Sequence, residues 1–131
     1  MSTARAMLGG KRMVRAHVLV VDDDEALREA LAESLRDGGF DVRCVADGRE
    51  ALDAMRAAPR PGLVLLDLMM PGLSGWQVLE LMAREDALRD LPVVVLTAFE
   101  ERADLPNGRP VLHKPFDDEV LRDLVERAMA A

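Results

Sequence analysis

The chain has 131 residues, enough for one domain with a real core and too few for two. Its formal charge of -7 conceals an asymmetry: Arg5, Lys11, Arg12 and Arg15 precede the first acid, Asp22, and from residue 17 onward 13 basic residues face 24 acidic ones, a net -11. Such a surface is repelled by nucleic-acid phosphates, no apolar run approaches the ~18 residues a membrane span needs, and a single cysteine cannot form an internal disulfide.

Residues 1–16 read as a flexible basic leader, because they lack the apolar stretch of a signal peptide and Gly9-Gly10 interrupts any helix. Residues 17–131 form the domain. His17 to Val21 is a short β-branched run of the kind found in buried strands, and Asp24 then caps a helix whose apolar face is Leu27, Ala30, Leu31, Ser34 and Leu35, ended by Gly38-Gly39. Val42 to Val45 predict a second strand. Cys44 within it reads as a small core hydrophobe in a reducing cytoplasm. Ala51, Leu52 and Met55 mark a helix closed by Pro59 and Pro61, and Leu63 to Leu66 a third strand. Met69 to Gly75 is loop by its Pro and Gly content, with a helical pattern from Trp76 to about Asp86.

Val93 to Leu96 predict a fourth strand, after which regularity weakens. The next helix is short, Phe99 to about Asp104, before the turn composition Leu105-Pro106-Asn107-Gly108. Val111-Leu112 is a brief fifth strand. Val120, Leu121, Leu124, Val125 and Ala128 give the last helix an apolar face. Strands alternating with helices imply right-handed crossovers and a parallel sheet covered on both sides.

Four of the strand-like runs end in polar residues of different chemistry: Asp22-Asp23, Asp67, Thr97 and Lys114. In an open parallel α/β sheet the carboxyl ends of the strands form the ligand crevice, so these residues converge. Three carboxylates, a hydroxyl and an ammonium are the parts of a metal-assisted phosphoryl site. Taken singly, Thr97 is also a good β-former and Lys114 an ordinary solvated charge; the constellation carries the reading.

Val-Val-Asp-Asp at 20–23, Leu-Leu-Asp-Leu-Met-Met-Pro-Gly-Leu-Ser-Gly at 65–75, Leu-Thr-Ala at 96–98 and Lys-Pro-Phe at 114–116 are the carriers of a family likeness. From about Val18 to Met129 the sequence resembles a receiver domain of a two-component response regulator. The resemblance implies a flavodoxin-like, doubly wound, five-stranded parallel sheet of order 2-1-3-4-5, here with a shortened or missing fourth helix. It implies that Asp67 is the nucleophile that becomes an aspartyl phosphate, that Asp22, Asp23, Asp67 and the Met69 carbonyl hold Mg²⁺ (or Mn²⁺), and that Thr97 and Lys114 engage the phosphoryl oxygens. It also implies a cis Lys114–Pro115 peptide. The expected partners are a histidine kinase or phosphotransfer protein and an output protein, in a bacterial cytoplasm, with no nucleic acid contacted by this domain, no membrane insertion, and homodimer formation open. Such a domain catalyses its own phosphorylation and dephosphorylation while serving primarily in signalling.

Two departures from the family pattern are visible. Val111 stands where many receivers carry a Tyr or Phe that rotates on activation, and the 99–108 segment leaves little room for the fourth helix. Together they predict signalling through another surface, or through ordering of residues 99–110. Met69 and Phe99, two residues beyond Asp67 and Thr97, are apolar where the family positions hydrolytic water, which predicts a long-lived phosphoryl group. Trp76 reads as packing near the Asp67 loop, and His113 as a polar residue on a short strand. Two alternatives stand beside the signalling role: a non-phosphorylated binding module of the same fold, and a Mg²⁺-dependent phosphohydrolase, disfavoured because Met69 replaces its second acid. A histidine kinase is excluded by size, with His17 and His113 the sole histidines.

Overall fold

A computed structural model of the chain describes residues 16–98 and 109–130. The expected leader, except Ala16, and the 99–108 segment with its shortened helix lie outside those residues.

Five strands, β1 (Val18–Val21), β2 (Val42–Val45), β3 (Leu63–Asp67), β4 (Val93–Thr97) and β5 (Val111–His113), form one sheet in the order β2-β1-β3-β4-β5. Every adjacent pair is parallel. The described helices are α1 (Glu25–Asp37), α2 (Gly48–Arg56), α3 (Gly75–Ala83) and α4 (Asp118–Ala130). This is the doubly wound topology expected from the sequence, and Lys114–Pro115 is cis, as is Ala58–Pro59.

The three inner strands are apolar on both faces because helices cover both. Alternation divides their side chains: Leu19, Val21, Val64, Leu66, Val93 and Val95 pack under α2 and α3, whereas Val18, Val20, Leu63, Leu65, Val94 and Leu96 pack under α1 and α4. Burying one such leucine completely contributes about 2 kcal/mol.

Each helix begins on a side-chain cap. The Asp24 carboxylate accepts from the Leu27 N–H at 3.2 Å, and that of Asp47 from Glu50 N–H at 2.8 Å. Ser74 and Gln77 form a reciprocal capping box, and Asp117 accepts from Val120 N–H at 2.9 Å. α1 stops at Gly38, and Gly39 takes a φ of 93°.

Several sequence expectations are corrected. Cys44 is exposed: β2 is an outer strand on which Val42 is the buried residue. On α1, Ala30 is exposed and Ala32 is buried, so the apolar face is rotated from the one read in the sequence. α3 ends at Ala83, three residues early, because Arg84 and Glu85 N–H groups bond three residues back, to Leu81 and Met82, and the tightened chain turns Leu88 into the core. Val120 is 50% exposed, outside the buried face of α4 formed by Leu121 and Val125.

Gly75 sets how closely α3 docks on β3. Its N–H donates to the Leu68 carbonyl at 3.0 Å, and an added Cβ would strike the Asp67 carbonyl oxygen and lie 2.6 Å from Leu68 Cα. Gly72, with φ +74°, turns in open space. Gly75→Ala should therefore destabilise by about 3 kcal/mol through overpacking against backbone, and Gly72→Ala by about 1 kcal/mol through conformation alone. Urea unfolding midpoints of the two variants measure the difference, and equal losses would contradict the docking argument.

Candidate functional site

Strand register fixes the heights of the candidate residues. Val21 pairs with Leu66, so Asp22 continues level with Asp67; Asp67 pairs with Leu96, so Thr97 stands one residue higher. Thr97 pairs with His113, which sets Lys114 two residues above Asp67, roughly 6–7 Å at strand rise. Only a long side chain reaches back over that step. Asp22, Asp67 and Lys114 also continue the alternation of Val20, Leu65 and Leu112, the face under α1 and α4, while Thr97 continues that of Val95 on the other face.

The result is a compact charge cluster. Carboxylate oxygens of Asp22, Asp23 and Asp67 all lie within 4.8 Å of one another. Asp22 is fully buried, Asp67 nearly so, and Asp23 is exposed at the mouth. Lys114 Nζ lies 3.5 Å from Asp22 Oδ2 and 3.6 Å from Asp67 Oδ1, bridging the two buried acids. The Lys114 N–H donates to the Thr97 carbonyl at 2.9 Å, which ties β5 to β4 at the site. Thr97 itself is buried at the end of β4.

Backbone donors orient both buried carboxylates. The Asp24 N–H donates to Asp22 Oδ1 at 2.9 Å, and the Met69 N–H to Asp67 Oδ1 at 3.1 Å. Despite this bond and Lys114, Asp67 has its pKa pushed up to about 6, first by burial and then by the negative charge of Asp22. The ionised cluster is therefore short of positive charge. Three hard oxygen donors converging on one point, with a surplus of negative charge, fit a hard divalent cation and suit neither a soft metal nor an organic cofactor.

The Met69 side chain is 53% exposed beside this mouth, offering water no donor and only a weak thioether acceptor. Val111 is half-buried on β5, paired with Val95 and packed on the α2/α3 core. Phe99 lies outside the described residues. His113 is half-buried in β5, one residue longer than the strand read from sequence. One participant was missed: Arg28, whose guanidinium donates to the Asp22 carbonyl oxygen at 2.8 Å. A cation near the positive end of a helix runs against the helix dipole, and that was its available signal.

The family profile described as "Response regulator receiver domain" matches residues 18–126. The chain belongs to that family. The receiver is 39% identical over 118 residues to the DNA-binding response regulator MtrA of Mycolicibacterium smegmatis, covering 90% of this chain and 49% of that protein. It thus spans about half the length of this relative. The chemotaxis protein CheY4 of Vibrio cholerae superimposes with a TM-score of 0.80 at 28% identity, covering 88% of this chain and 99% of that one. The receiver domain of a Pseudomonas aeruginosa sensor histidine kinase, with a magnesium ion coordinated in its active site cleft, superimposes at 0.79 with 27% identity, covering 90% and 100%. Among the described residues no helix is long and apolar enough to cross a membrane.

The raised pKa of Asp67 predicts a pH signature. The folded state binds this proton more tightly than the unfolded chain, so the ionised group penalises folding above pH 6, and the penalty fades as pH falls toward 3.8. His17, whose pKa is lowered by burial and then by Arg43, acts oppositely in acid, so the difference between two proteins isolates Asp67. With divalent ions chelated, Asp67→Asn should stabilise the receiver by about 2 kcal/mol at pH 7.5, with a smaller gain at pH 5. Denaturant titrations at the two pH values check it; a gain that grows on acidification would contradict it.

Proposed function

We propose that this receiver is the phosphoacceptor of a bacterial two-component phosphorelay, with Asp67 as its nucleophile. The supporting observation is the buried Asp67 carboxylate held among Asp22, Asp23 and Lys114 at the carboxyl edge of the sheet. A kinase or phosphotransfer histidine would present its phosphoryl group there. An Asp67 carboxylate oxygen attacks phosphorus in line, the O–P bond forms as the N–P bond breaks, and the imidazole nitrogen leaves with the electron pair.

Asp22, Asp23, Asp67 and the Met69 carbonyl are the proposed holders of Mg²⁺ or Mn²⁺, in keeping with the magnesium ion named for the Pseudomonas relative. When bound, the ion offsets repulsion between the carboxylates and an anionic phosphoryl group and neutralises charge on its oxygens. The chain's own groups have distinct tasks. The Met69 N–H holds one Asp67 oxygen, which leaves the other for attack. Lys114, now shared by two carboxylates, turns its ammonium to a phosphoryl oxygen once Asp67 has lost its carboxylate charge to the acyl phosphate, and the Thr97 hydroxyl takes another. These exchanges favour the phosphorylated conformation only by their differential strength, which is how one covalent group biases partner binding.

The acidic surface keeps nucleic acid outside this domain's role, so output passes through protein contacts or through a longer protein. The domain is proposed to work in the cytoplasm and to begin at residue 17. Residues 99–110, of which 99–108 lie outside the described residues, are the proposed signalling segment.

Intact mass after incubation with acetyl phosphate should show a Mg²⁺-dependent gain of one phosphoryl group, abolished in Asp67→Asn. No gain under any condition would favour the binding-module reading. Dephosphorylation supplies a second test: the exposed, apolar Met69 cannot orient a water molecule, so Met69→Asn should speed loss of the phosphoryl group roughly several-fold. An unchanged decay rate in a phosphate-release assay would remove Met69 from that role.

A further inference from the structure

Asp23 supplies the third carboxylate from an exposed position, and its direction is set by the backbone leaving β1. The peptide joining Asp22 to Asp23 is therefore critical: its rotation would leave Asp22 in the core and swing Asp23 off the cluster. The carbonyl of that peptide accepts the Arg28 guanidinium at 2.8 Å. Arg28 is itself fixed, since it lies on α1 and its backbone N–H donates to the Asp24 carbonyl at 2.9 Å. Asp24 in turn caps α1 through its carboxylate and donates its N–H to Asp22 Oδ1. Arg28, Asp24 and Asp22 thus form a closed ring of hydrogen bonds within residues 22–28.

We propose that Arg28 is a positioning residue for divalent-cation binding at Asp22, Asp23 and Asp67, acting through the Asp22–Asp23 peptide without touching the ion. The inference rests on the phosphoacceptor reading for its purpose and on the hydrogen-bond geometry for its content. Asp22 is fully buried, so loss of the guanidinium leaves its carbonyl short of a charged donor and frees the peptide to rotate. Electrostatics alone predicts the reverse. A guanidinium held on the Asp22 carbonyl repels a cation arriving at the acids, and its removal would tighten binding if charge were its whole effect. The two accounts differ in sign.

The test is Mg²⁺ titration by calorimetry of the full chain and of Arg28→Met, Arg28→Gln and Arg28→Lys, with thermal midpoints in chelator recorded alongside. Positioning predicts that Arg28→Met weakens Mg²⁺ binding roughly tenfold despite losing a repelling charge. Arg28→Gln, which keeps an amide donor, should lose less, and Arg28→Lys, which keeps donor and charge, should lose least. Arg28→Met or Arg28→Gln binding as tightly as the parent, or tighter, overturns the proposal. So does weakening that simply tracks the fall in thermal midpoint across the three variants, which is the mark of a merely structural tie. Should Arg28→Met not fold, the ratio of the Gln and Lys variants decides. A parent chain that binds Mg²⁺ yet takes no phosphoryl group from acetyl phosphate would sink the phosphoacceptor reading alone, with the Arg28 ratios still decisive.

Discussion

Asp22 and Asp67 stand side by side on one face of the sheet edge, both almost wholly out of water, and like charges so placed must be compensated. The compensation here is partial by design of the backbone: two N–H donors, one from Asp24 and one from Met69, and a single ammonium shared between them. Burial, and then the charge of Asp22, still raise the Asp67 pKa, so the compensation is incomplete. A site with unmet demand for positive charge attracts a cation, whose binding offsets the repulsion between the acids. A fully satisfied cluster would be more stable and less responsive.

The surrounding fold exists to hold that imbalance in place. Apolar strands, buried on both faces, give the acids a rigid floor, and register assigns each side chain its height. Lys114 must be long because it stands two residues above the acids it serves, whereas Asp22 is short because it stands level with Asp67. Gly75 completes the floor by letting α3 begin directly against the end of β3.

Much of this was legible in the chain. Runs such as Leu63 to Leu66 are too short for helices and too apolar for loops, and polar residues that end several such runs converge wherever the strands are parallel. The last helix was readable because Leu121, Leu124 and Val125 keep one face. What escaped reading depended on position in the sheet. Cys44 is as apolar as its neighbours, and only the placement of β2 at the margin exposes it. The early end of α3 goes with the burial of Leu88, a tertiary contact that local periodicity does not carry. Arg28 escaped for a related reason: its partner is a main-chain carbonyl, which no side-chain motif announces.

The sheet is not equally strong along its width. β3 and β4 are five-residue strands buried throughout, whereas β5 has three residues, of which Leu112 alone is fully covered. The ammonium of the site is thus mounted immediately beyond the shortest strand, at the sheet's outer margin. Fraying that begins at a margin breaks few hydrogen bonds and uncovers little apolar area, so it costs far less than global unfolding. Among the described strands, Lys114 is therefore mounted on the one that costs least to release, and Asp67 on one that costs far more. Release of β5 would lift the ammonium away and leave the anionic floor standing, so the two halves of the site differ in cohesion as well as in charge.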